Sequence, residues 1–492
     1  QNYFGLPFAL IVVSAVFIPL YYKLNIYTAY EFLEKRFDLK TRLLAAFLFL
    51  LQRGLAAGIT IYAPAIILSS MLHWDLSLTI VLVGTVVVIY TVSGGTKAVS
   101  ITQKWQMGVI MLGMLIAFII ILDHLPKELG FINAIDIAGR MGKLDIVSFS
   151  IDPGERYTFW TGITGGFFLA LSYFGTDQSQ VQRYIGGENI SESRMGLMFN
   201  ALFKIPMQFF ILFVGIMVFV FYQFESHDVI FDKTNLENLR QSKHSEKIKS
   251  LENEFESLHN SKRQKLNELI EAKNSKSDDR IKILTEDINK IENQSREVKS
   301  SVKSILIEEF PEESAKDSDY VFLTFIMNYL PHGLIGLLLA VIISAAMSST
   351  AGELNALGST ATIDFYKRLV KPNGSDKQYV IASRVLTAFW GVLAIFFALF
   401  AQLLENLIEA VNILGSLFYG TILGIFLIAF FVKRIKGHGV FLAALLAQFF
   451  VFIIYFFFEE YVAYLWYNVI GCALVMIISL IFSLLRKRPL NN

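Results

Sequence analysis

The stretch GLIGLLLAVIISAAMSSTAGELNALGSTATIDFYKRL, residues 333–369, decides the fold of this chain. It is an apolar run long enough to cross a membrane, and it ends in small and hydroxyl residues followed by a basic flank. The small side chain of Ala345 lets another helix approach, and Ser348, Ser349 and Thr350 place oxygen atoms within the bilayer. Because hard cations take oxygen ligands, this helix suits an ion such as sodium.

The whole chain has the composition of a polytopic membrane protein. Of its 492 residues, 54% are hydrophobic and 14% are aromatic. A single cysteine, Cys472, leaves no disulfide framework and no cysteine-based metal site. About 20 apolar residues cross the hydrocarbon core, and windows of that length predict eleven spans. They cover approximately residues 4–22, 43–72, 76–93, 105–122, 159–176, 197–223, 333–355, 383–404, 410–432, 439–458 and 464–485.

The connections between these spans alternate in charge. Lys and Arg number 20 in the loops of one side and 4 on the other side, where all four lie between Asp123 and Tyr157. The positive-inside rule predicts that the basic loops are cytoplasmic. The chain as given therefore starts outside and ends with its C-terminus in the cytoplasm, as an odd number of spans requires.

Residues 225–320 break the pattern, with 17 Lys or Arg and 22 Asp or Glu. Two apolar stripes with three-four spacing run through this segment, one from Ile248 to Leu269 and one from Ile281 to Ile305. The polar stretch 274–279 separates them. This pattern predicts an extracytoplasmic, coiled-coil-like helical hairpin, and the alternative is a disordered charged loop.

Two cations lie within predicted spans, where a charged side chain is costly and faces a cavity or a partner. Lys204 either makes a contact with substrate or takes part in coupling, or it snorkels to the cytoplasmic surface. Arg53 is interpreted first as a structural ion pair or a snorkelling residue. The run 172–178, SYFGTDQ, predicts irregular backbone that lines protein or water.

These features suit a transporter with broken helices and a site near the membrane midplane. Five segments in order also resemble the sodium/solute symporter family, which includes sodium-coupled sugar, proline, sialic acid, pantothenate and iodide carriers. They are IYTAYEFLEKRF at 26–37, SGGTKAVSITQKWQ at 93–106, YFGTDQSQVQRYIGG at 173–187, MSSTAGELNALGSTATIDFYKR at 347–368 and GSLFYGTILGIFL at 415–427. The resemblance implies an all-α fold of two inverted five-helix repeats, each with an unwound first helix.

Under this resemblance the chain has three parts. Residues 1–224 form the first core half, 225–320 the charged insertion, and 321–492 the second core half with the C-terminal helices. The first span matches the second core helix of the family. We therefore expect the natural chain to extend upstream of Gln1, so that this sequence is N-terminally truncated and lacks the unwound first core helix and its sodium ligands.

The resemblance also implies site residues. The eighth-core-helix sodium ligands are the carbonyl of Ala345 and the hydroxyls of Ser348 and Ser349, and the alternative is that the serines only mediate helix packing. Tyr173 matches an aromatic inner gate, and Lys204 and Asn412 match substrate contacts of the sugar carriers. For Tyr173 and Asn412 the alternative is a structural role in the buried interior.

One departure from the family bears on stoichiometry. Many members have Thr-Asp after the double glycine, where the aspartate is linked with a second sodium site or with coupling, whereas this chain has Thr102-Gln103. A neutral amide lacks the charge that favours a second cation. We therefore expect one sodium ion per transport cycle.

The predicted function is sodium-coupled symport of a small organic solute or anion by alternating access, in the plasma membrane. The alternative is a transporter-like solute sensor that signals through a partner protein. No nucleophile, base and orienting group occur with recognisable spacing, so we do not expect an enzyme. The expected partners are a small solute and the lipid bilayer, not nucleic acid, and the 225–320 hairpin is a possible docking site for an extracytoplasmic protein.

Overall fold

A computed structural model describes residues 3–24, 26–72, 74–127, 129–145, 147–187, 189–310, 317–401 and 407–485, without the side chains at 70, 94–104, 319, 346 and 408. Regular structure within these ranges is helical throughout. The helices are α1 Leu6–Leu24, α2 Glu31–Arg36, α3 Leu39–Leu72, α4 Leu76–His124, α5 Gly130–Arg140, α6 Gly166–Thr176, α7 Gln178–Ile185, α8 Ile190–Phe224, α9 Lys233–Arg240, α10 Ser245–Asn274, α11 Asp278–Glu309, α12 Ser318–Tyr329, α13 His332–Val370, α14 Asp376–Phe400, α15 Leu407–Phe431, α16 Gly437–Phe458 and α17 Leu465–Leu485.

Ten helical segments in the described ranges are long and apolar enough to cross a membrane. They lie in α1, α3, α8 and α13 to α17, with two in α4 at Leu76–Ser93 and Trp105–His124. The eleventh predicted span, 159–176, is also helical but is not among the ten. Threonine and glycine at 161–166 interrupt its apolar run, and residues Thr161–Gly165 form a π-helical segment ahead of α6.

The loop predicted at 94–104 is not seen, because α4 continues through it as one helix of 49 residues. At 1.5 Å per residue such a helix is about 74 Å long, more than twice the thickness of a hydrocarbon core. The segment contains Gly94-Gly95 but no proline, so each backbone N–H remains available to the helical ladder. The reversal of chain direction predicted between these two spans is therefore absent.

The membrane helices converge on α13 and α15. Helix α15 packs against α3, α6 and α17, and α13 packs against α3, α4 and α14. Helix α1 lies along α6 and α8. Large aromatic side chains such as Tyr30, Phe49 and Phe426 are fully buried in this bundle, and they hold in place the helices that carry polar side chains at its centre.

In the charged insertion, α10 and α11 pack along each other and are joined by a short turn in which Lys276 has a φ of +55°. Their contact buries the apolar stripes, including Ile248, Phe255, Val302 and Ile305. Because the apolar residues recur every three to four positions, each helix presents one apolar face to the other. That this helix pair lies outside the cytoplasm stays a prediction.

The far end of the helix pair rests on α5 instead of projecting freely. The ammonium of Lys273 lies 2.9 Å from the Asp136 carboxylate and 2.9 Å from the Asn133 side-chain oxygen. Burial disfavours the Asp136 carboxylate, but its hydrogen bonds to Arg140 and Lys273 prevail, so its pKa is lowered. Leu269, Ile288 and Ile137 belong to one buried apolar cluster. The insertion is thus fixed to the segment that precedes α6.

Acidification is expected to loosen this insertion. His227 and His259 lie with ring centroids 5.5 Å apart, and within the described structure neither ring nitrogen of His259 has a hydrogen-bond partner. Burial is the main cause that lowers the pKa of His227 to about 3 and that of His259 to about 4, and the nearby Lys299 and Lys262 lower both further. Only the neutral rings fit the fold.

The sign of the pH effect follows from these lowered pKa values. An unfolded histidine has a pKa near 6.5. The stability that depends on the two neutral histidines is therefore fully present above about pH 6.5, and it is lost as the pH falls towards 4. For each histidine, the equilibrium constant for opening of the insertion should rise roughly tenfold with every unit by which the pH falls in this range. Hydrogen exchange of the amides in 245–309 measures this, and a His227→Phe/His259→Phe variant should lose the dependence. Equal protection at pH 7 and pH 4.5 in the natural sequence would contradict the prediction.

Candidate functional site

A cavity of about 280 Å³ lies among α1, α3, α6, α8, α13 and α15. It is at the small end of the range for ligand pockets. Three side chains singled out from the sequence, Tyr173, Lys204 and Asn412, line this one cavity. Arg53 and Glu353 line it too, so the space inside the bundle is polar on one side.

The helix α6, which lines the cavity, is separated from α7 by a break. Helix α6 ends at Thr176, and Asp177 adopts an extended conformation with φ −78° and ψ 121°. Its carboxylate accepts hydrogen bonds from the backbone N–H of Ser179 at 2.8 Å and from the Ser179 hydroxyl at 2.6 Å, which caps α7. The irregular backbone predicted at 172–178 is therefore confirmed at this position.

Arg53 lies at the centre of a buried ionic network. One terminal nitrogen of its guanidinium lies 3.1 Å from Glu353, and the other contacts the Asp177 carboxylate and the Tyr419 hydroxyl, the latter at 2.6 Å. Tyr419 donates to Asp177 at 2.7 Å, and the Thr60 hydroxyl donates to Glu353 at 3.1 Å. With all three charged groups ionised, the network carries one excess negative charge.

Four separate elements meet in this network: α3, the α6–α7 break, α13 and α15. Only 2% of Arg53 and 1% of Asp177 are exposed. Buried charges persist only when they are paired and hydrogen-bonded, and here every charged group has an opposite charge within contact distance. Snorkelling is therefore wrong for Arg53, and its ion pair is confirmed.

Lys204 is placed differently. Its ammonium lies 5.5 Å from the ring centroid of Phe174 and 5.7 Å from that of Tyr3. The ion pairs that the described residues form in this cavity all belong to Arg53. Aromatic faces attract a cation but do not neutralise it. The ammonium therefore faces the cavity with its charge uncompensated.

Tyr173 stands between the two charged regions. The guanidinium of Arg53 lies 5.4 Å from its ring centroid, and the side-chain amide of Gln180 donates to its hydroxyl at 2.8 Å. The ring is thus held by α3 on one side and α7 on the other. Helix α7 follows the break at Asp177, so a shift of α7 against α3 would move this ring.

The predicted sodium ligands lie on α13, close to this network but not in the cavity lining. Ser348 is buried, Ala345 is partly buried and Ser349 is exposed. The next residue, Thr350, donates its hydroxyl to Thr60 at 3.1 Å. Hydroxyl and carbonyl oxygens fit a hard cation, and three of them on one helix supply one side of a coordination shell. Gln103 lies in α4, with its side chain outside the described residues.

The partners of Arg53 were not predicted from the sequence. Asp177 was singled out only for its backbone, and Glu353 and Tyr419 were not singled out as site residues. A signal existed, because Glu353 is an acid inside a predicted span, and intramembrane charges usually pair with one another. Pairing every charge within the predicted spans would have suggested Arg53 with Glu353.

The model of the sodium:solute symporter family matches residues 3–238 and 311–447. The unmatched interval coincides with α10 and α11. A solved structure described as the substrate-bound outward-open state of a Na⁺-coupled sialic acid symporter is similar to this chain with a TM-score of 0.71 and 22% identity. The match covers 98% of this chain and 83% of that one, and it supports the fold.

Curated relatives match over shorter regions. The chain is 38% identical to the sodium-coupled monocarboxylate transporter 1 of Homo sapiens over 39% of this chain and 31% of the relative. It is 35% identical to the sodium-dependent multivitamin transporter of Oryctolagus cuniculus over 44% of this chain and 33% of that relative. It is 31% identical to the sodium/iodide cotransporter of Homo sapiens over 43% of this chain and 32% of that relative. The matched region spans about a third of the length of these relatives. Because the family model covers most of the residues, the chain belongs to the sodium:solute symporter family.

Proposed function

We propose that the protein is a sodium-coupled symporter of a small organic anion, which works by alternating access. The observation that carries the choice of an anion is Lys204. Its ammonium faces the cavity without a carboxylate among the described residues, whereas Arg53 is matched by two. An anionic group of the substrate completes this pairing.

Charge balance supports the same choice. The charged groups of the cavity wall and of its ion pairs, Arg53, Lys204, Asp177 and Glu353, together sum to zero when ionised, and the exposed Arg183 lies outside this set. One sodium ion bound with one monoanion keeps that sum, whereas sodium with a neutral sugar leaves a net positive charge. Uncompensated charge inside the bilayer is costly. A carboxylate or similar anion is therefore the favoured cargo.

Sodium binds on α13 through the Ala345 carbonyl and the hydroxyls of Ser348 and Ser349. In this proposal the bound ion stabilises the outward-open state and prepares the cavity for substrate, and its release to the cytoplasm lets the substrate leave. Gln103 favours one ion per cycle because an amide adds no negative charge. The coupling is reciprocal, so substrate raises sodium affinity by the same factor as sodium raises substrate affinity.

Tyr173 is the inner gate and Asn412 a polar contact of the substrate. The position of the ring between α3 and α7 supports the gate, because the break at Asp177 lets α7 move separately from α6. Asn412 lines the cavity together with Lys204. Its amide can donate to and accept from the polar groups of an organic anion.

We also propose that the protein lies in the plasma membrane with its C-terminus in the cytoplasm and residues 225–320 outside. In the second half of the chain, 11 Lys and Arg lie at 360–384, 433–438 and 486–488, on the side of the C-terminus, and none lie at 405–409 or 459–463 on the other side, which supports this orientation. Cysteine variants at Lys276 and Lys377, labelled with a membrane-impermeant maleimide in intact cells, test it. Labelling of Lys276→Cys alone is expected, and labelling of Lys377→Cys alone would reverse the orientation.

Uptake into proteoliposomes tests the transport function. Radiolabelled acetate, iodide, proline and glucose represent a carboxylate, an inorganic anion, a zwitterion and a neutral sugar. Acetate uptake that requires an inward sodium gradient is expected. Equal acetate uptake with sodium and with choline would contradict symport, and sodium-driven uptake of glucose alone would contradict the choice of an anion.

Replacing Lys204 by glutamine is expected to raise the KM for the anion by roughly ten- to a hundredfold, because a hydrogen bond to a charged group contributes about 1.5–3 kcal/mol. Initial uptake rates at saturating sodium measure it. Lys143→Gln is the matched control, since Lys143 also lies over an aromatic ring, that of Phe219 at 4.6 Å, but outside the cavity. If Lys204→Gln and the natural sequence have the same KM for the anion, Lys204 does not contact the substrate.

A further inference from the structure

We propose that Glu353 provides the negative charge that balances the coupling sodium ion, and that Arg53 transmits the arrival of the ion to the substrate cavity. The inference rests on the proposed sodium site of α13. It assigns to this carboxylate a role in ion binding although it is not itself a ligand of the ion.

Glu353 lies on α13, one helical turn after the proposed ion ligands. It follows Ser349 by four residues, so both side chains lie on the same face of the helix, with Cβ atoms about 6 Å apart. A hydrogen-bonded path joins the two regions: Thr350 donates to Thr60 at 3.1 Å, and Thr60 donates to Glu353 at 3.1 Å. The carboxylate is therefore the negative charge one turn beyond the proposed ion ligands.

The ion pairs of the network leave an excess negative charge. Arg53 is shared by two carboxylates, Asp177 and Glu353, and among the described residues the other cations nearby, Lys204 and Arg183, form no ion pair with either carboxylate. The side chain of Glu353 is only 13% exposed. A cation about 6 Å away is favoured by such a charge by roughly ten- to a hundredfold in affinity at an effective dielectric constant near 20. Serine hydroxyls and a carbonyl carry no charge, so Glu353 supplies what the ligands lack.

The guanidinium of Arg53 contacts Glu353 and Asp177 through different nitrogen atoms. One terminal nitrogen contacts Glu353, and the other contacts Asp177 and Tyr419. A sodium ion that competes for Glu353 weakens its hold on the guanidinium, and the guanidinium then binds Asp177 more tightly. Asp177 forms the α6–α7 break beside the cavity. Ion binding on α13 is thereby linked to the element that holds Tyr173.

A purely structural network predicts something different. In that case loss of the Glu353 charge changes the stability of the protein to the same extent at all sodium concentrations. A counter-charge instead changes the concentration of sodium that the protein requires. The two roles are separated by titrating sodium against protein stability.

The experiment uses the purified full chain in detergent, with sodium chloride replaced by choline chloride at constant ionic strength. Sodium that binds the folded state raises the melting temperature in proportion to ln(1 + [Na⁺]/Kd). The sodium Kd fitted to this relation is expected to rise by roughly tenfold in Glu353→Gln, and by less in Glu353→Asp. Glu409→Gln is the matched control, because Glu409 pairs with Arg156 at 2.6 Å near the surface, away from α13, and it should keep the natural value.

A fitted sodium Kd in Glu353→Gln equal to that of the natural sequence would overturn this inference, even if the variant melts at a lower temperature. The same holds if Glu409→Gln raises it as much as Glu353→Gln does. A natural sequence that sodium does not stabilise would instead overturn the proposed function. The sodium titration of the unsubstituted protein therefore distinguishes failure of the proposed function from failure of the inference about Glu353.

Discussion

Replacement of Arg53 by methionine is expected to destabilise the membrane domain by about 3–5 kcal/mol, the cost of breaking a buried ion pair from one side. Asp177 and Glu353 would then face each other without a cation, and Asp177 is 1% exposed. The melting temperature of the purified protein should fall by roughly 3–5 °C. Size-exclusion chromatography should show a smaller monodisperse fraction.

The control removes all three charges together. Arg53→Met/Asp177→Asn/Glu353→Gln leaves no unpaired charge in the network, and replacement of a whole buried ionic group is often neutral. This triple variant should melt closer to the natural protein than Arg53→Met does. If Arg53→Met alone melts within 1 °C of the natural protein, the network does not stabilise the fold.

Replacement of both Ser348 and Ser349 by alanine is expected to raise the half-saturating sodium concentration of uptake by roughly a hundredfold or more. Two oxygen ligands of a cation are lost, and each interaction with a charged group contributes about 1.5–3 kcal/mol. Alanine is small and favours a helix, so α13 should still form and insert. Initial uptake rates against sodium concentration provide the measurement.

Ser359→Ala is the matched control for the double variant. Ser359 lies on the same helix, and its hydroxyl donates to the backbone carbonyl of Ala356 at 3.1 Å. It should leave the sodium dependence as it is in the natural sequence. If Ser348→Ala/Ser349→Ala shows the natural sodium dependence, these two hydroxyls are only packing contacts between helices.

The membrane helices could be predicted from the sequence because the signal is local. An apolar run of span length must avoid water whatever surrounds it, so hydropathy located the segments that became α1, α3, α8 and α13 to α17. The α6–α7 break was also predictable, because glycine, threonine and aspartate occur together at 175–177. The loop predicted at 94–104 was wrong, because a glycine pair alone does not stop a helix and α4 continues through it.

The predicted site residues divide in the same way. Tyr173, Lys204 and Asn412 are distant in sequence, yet they line one cavity. The Ser348 and Ser349 site stays a prediction, as does the absence of a second ion inferred from Gln103. The partners of Arg53 were not found, because a polar residue inside a span shows that it needs a partner without showing which one.

The sequence by itself determined the class of the protein, most of its spans, the break after α6 and the apolar stripes of α10 and α11. Each depends on the hydration and backbone preferences of neighbouring residues. Only the tertiary structure decided that Arg53 joins Asp177, 124 residues away, and Glu353, 300 residues away, and that Lys273 binds Asp136. Such pairs form only after packed helices have excluded water and left each buried charge with few available partners.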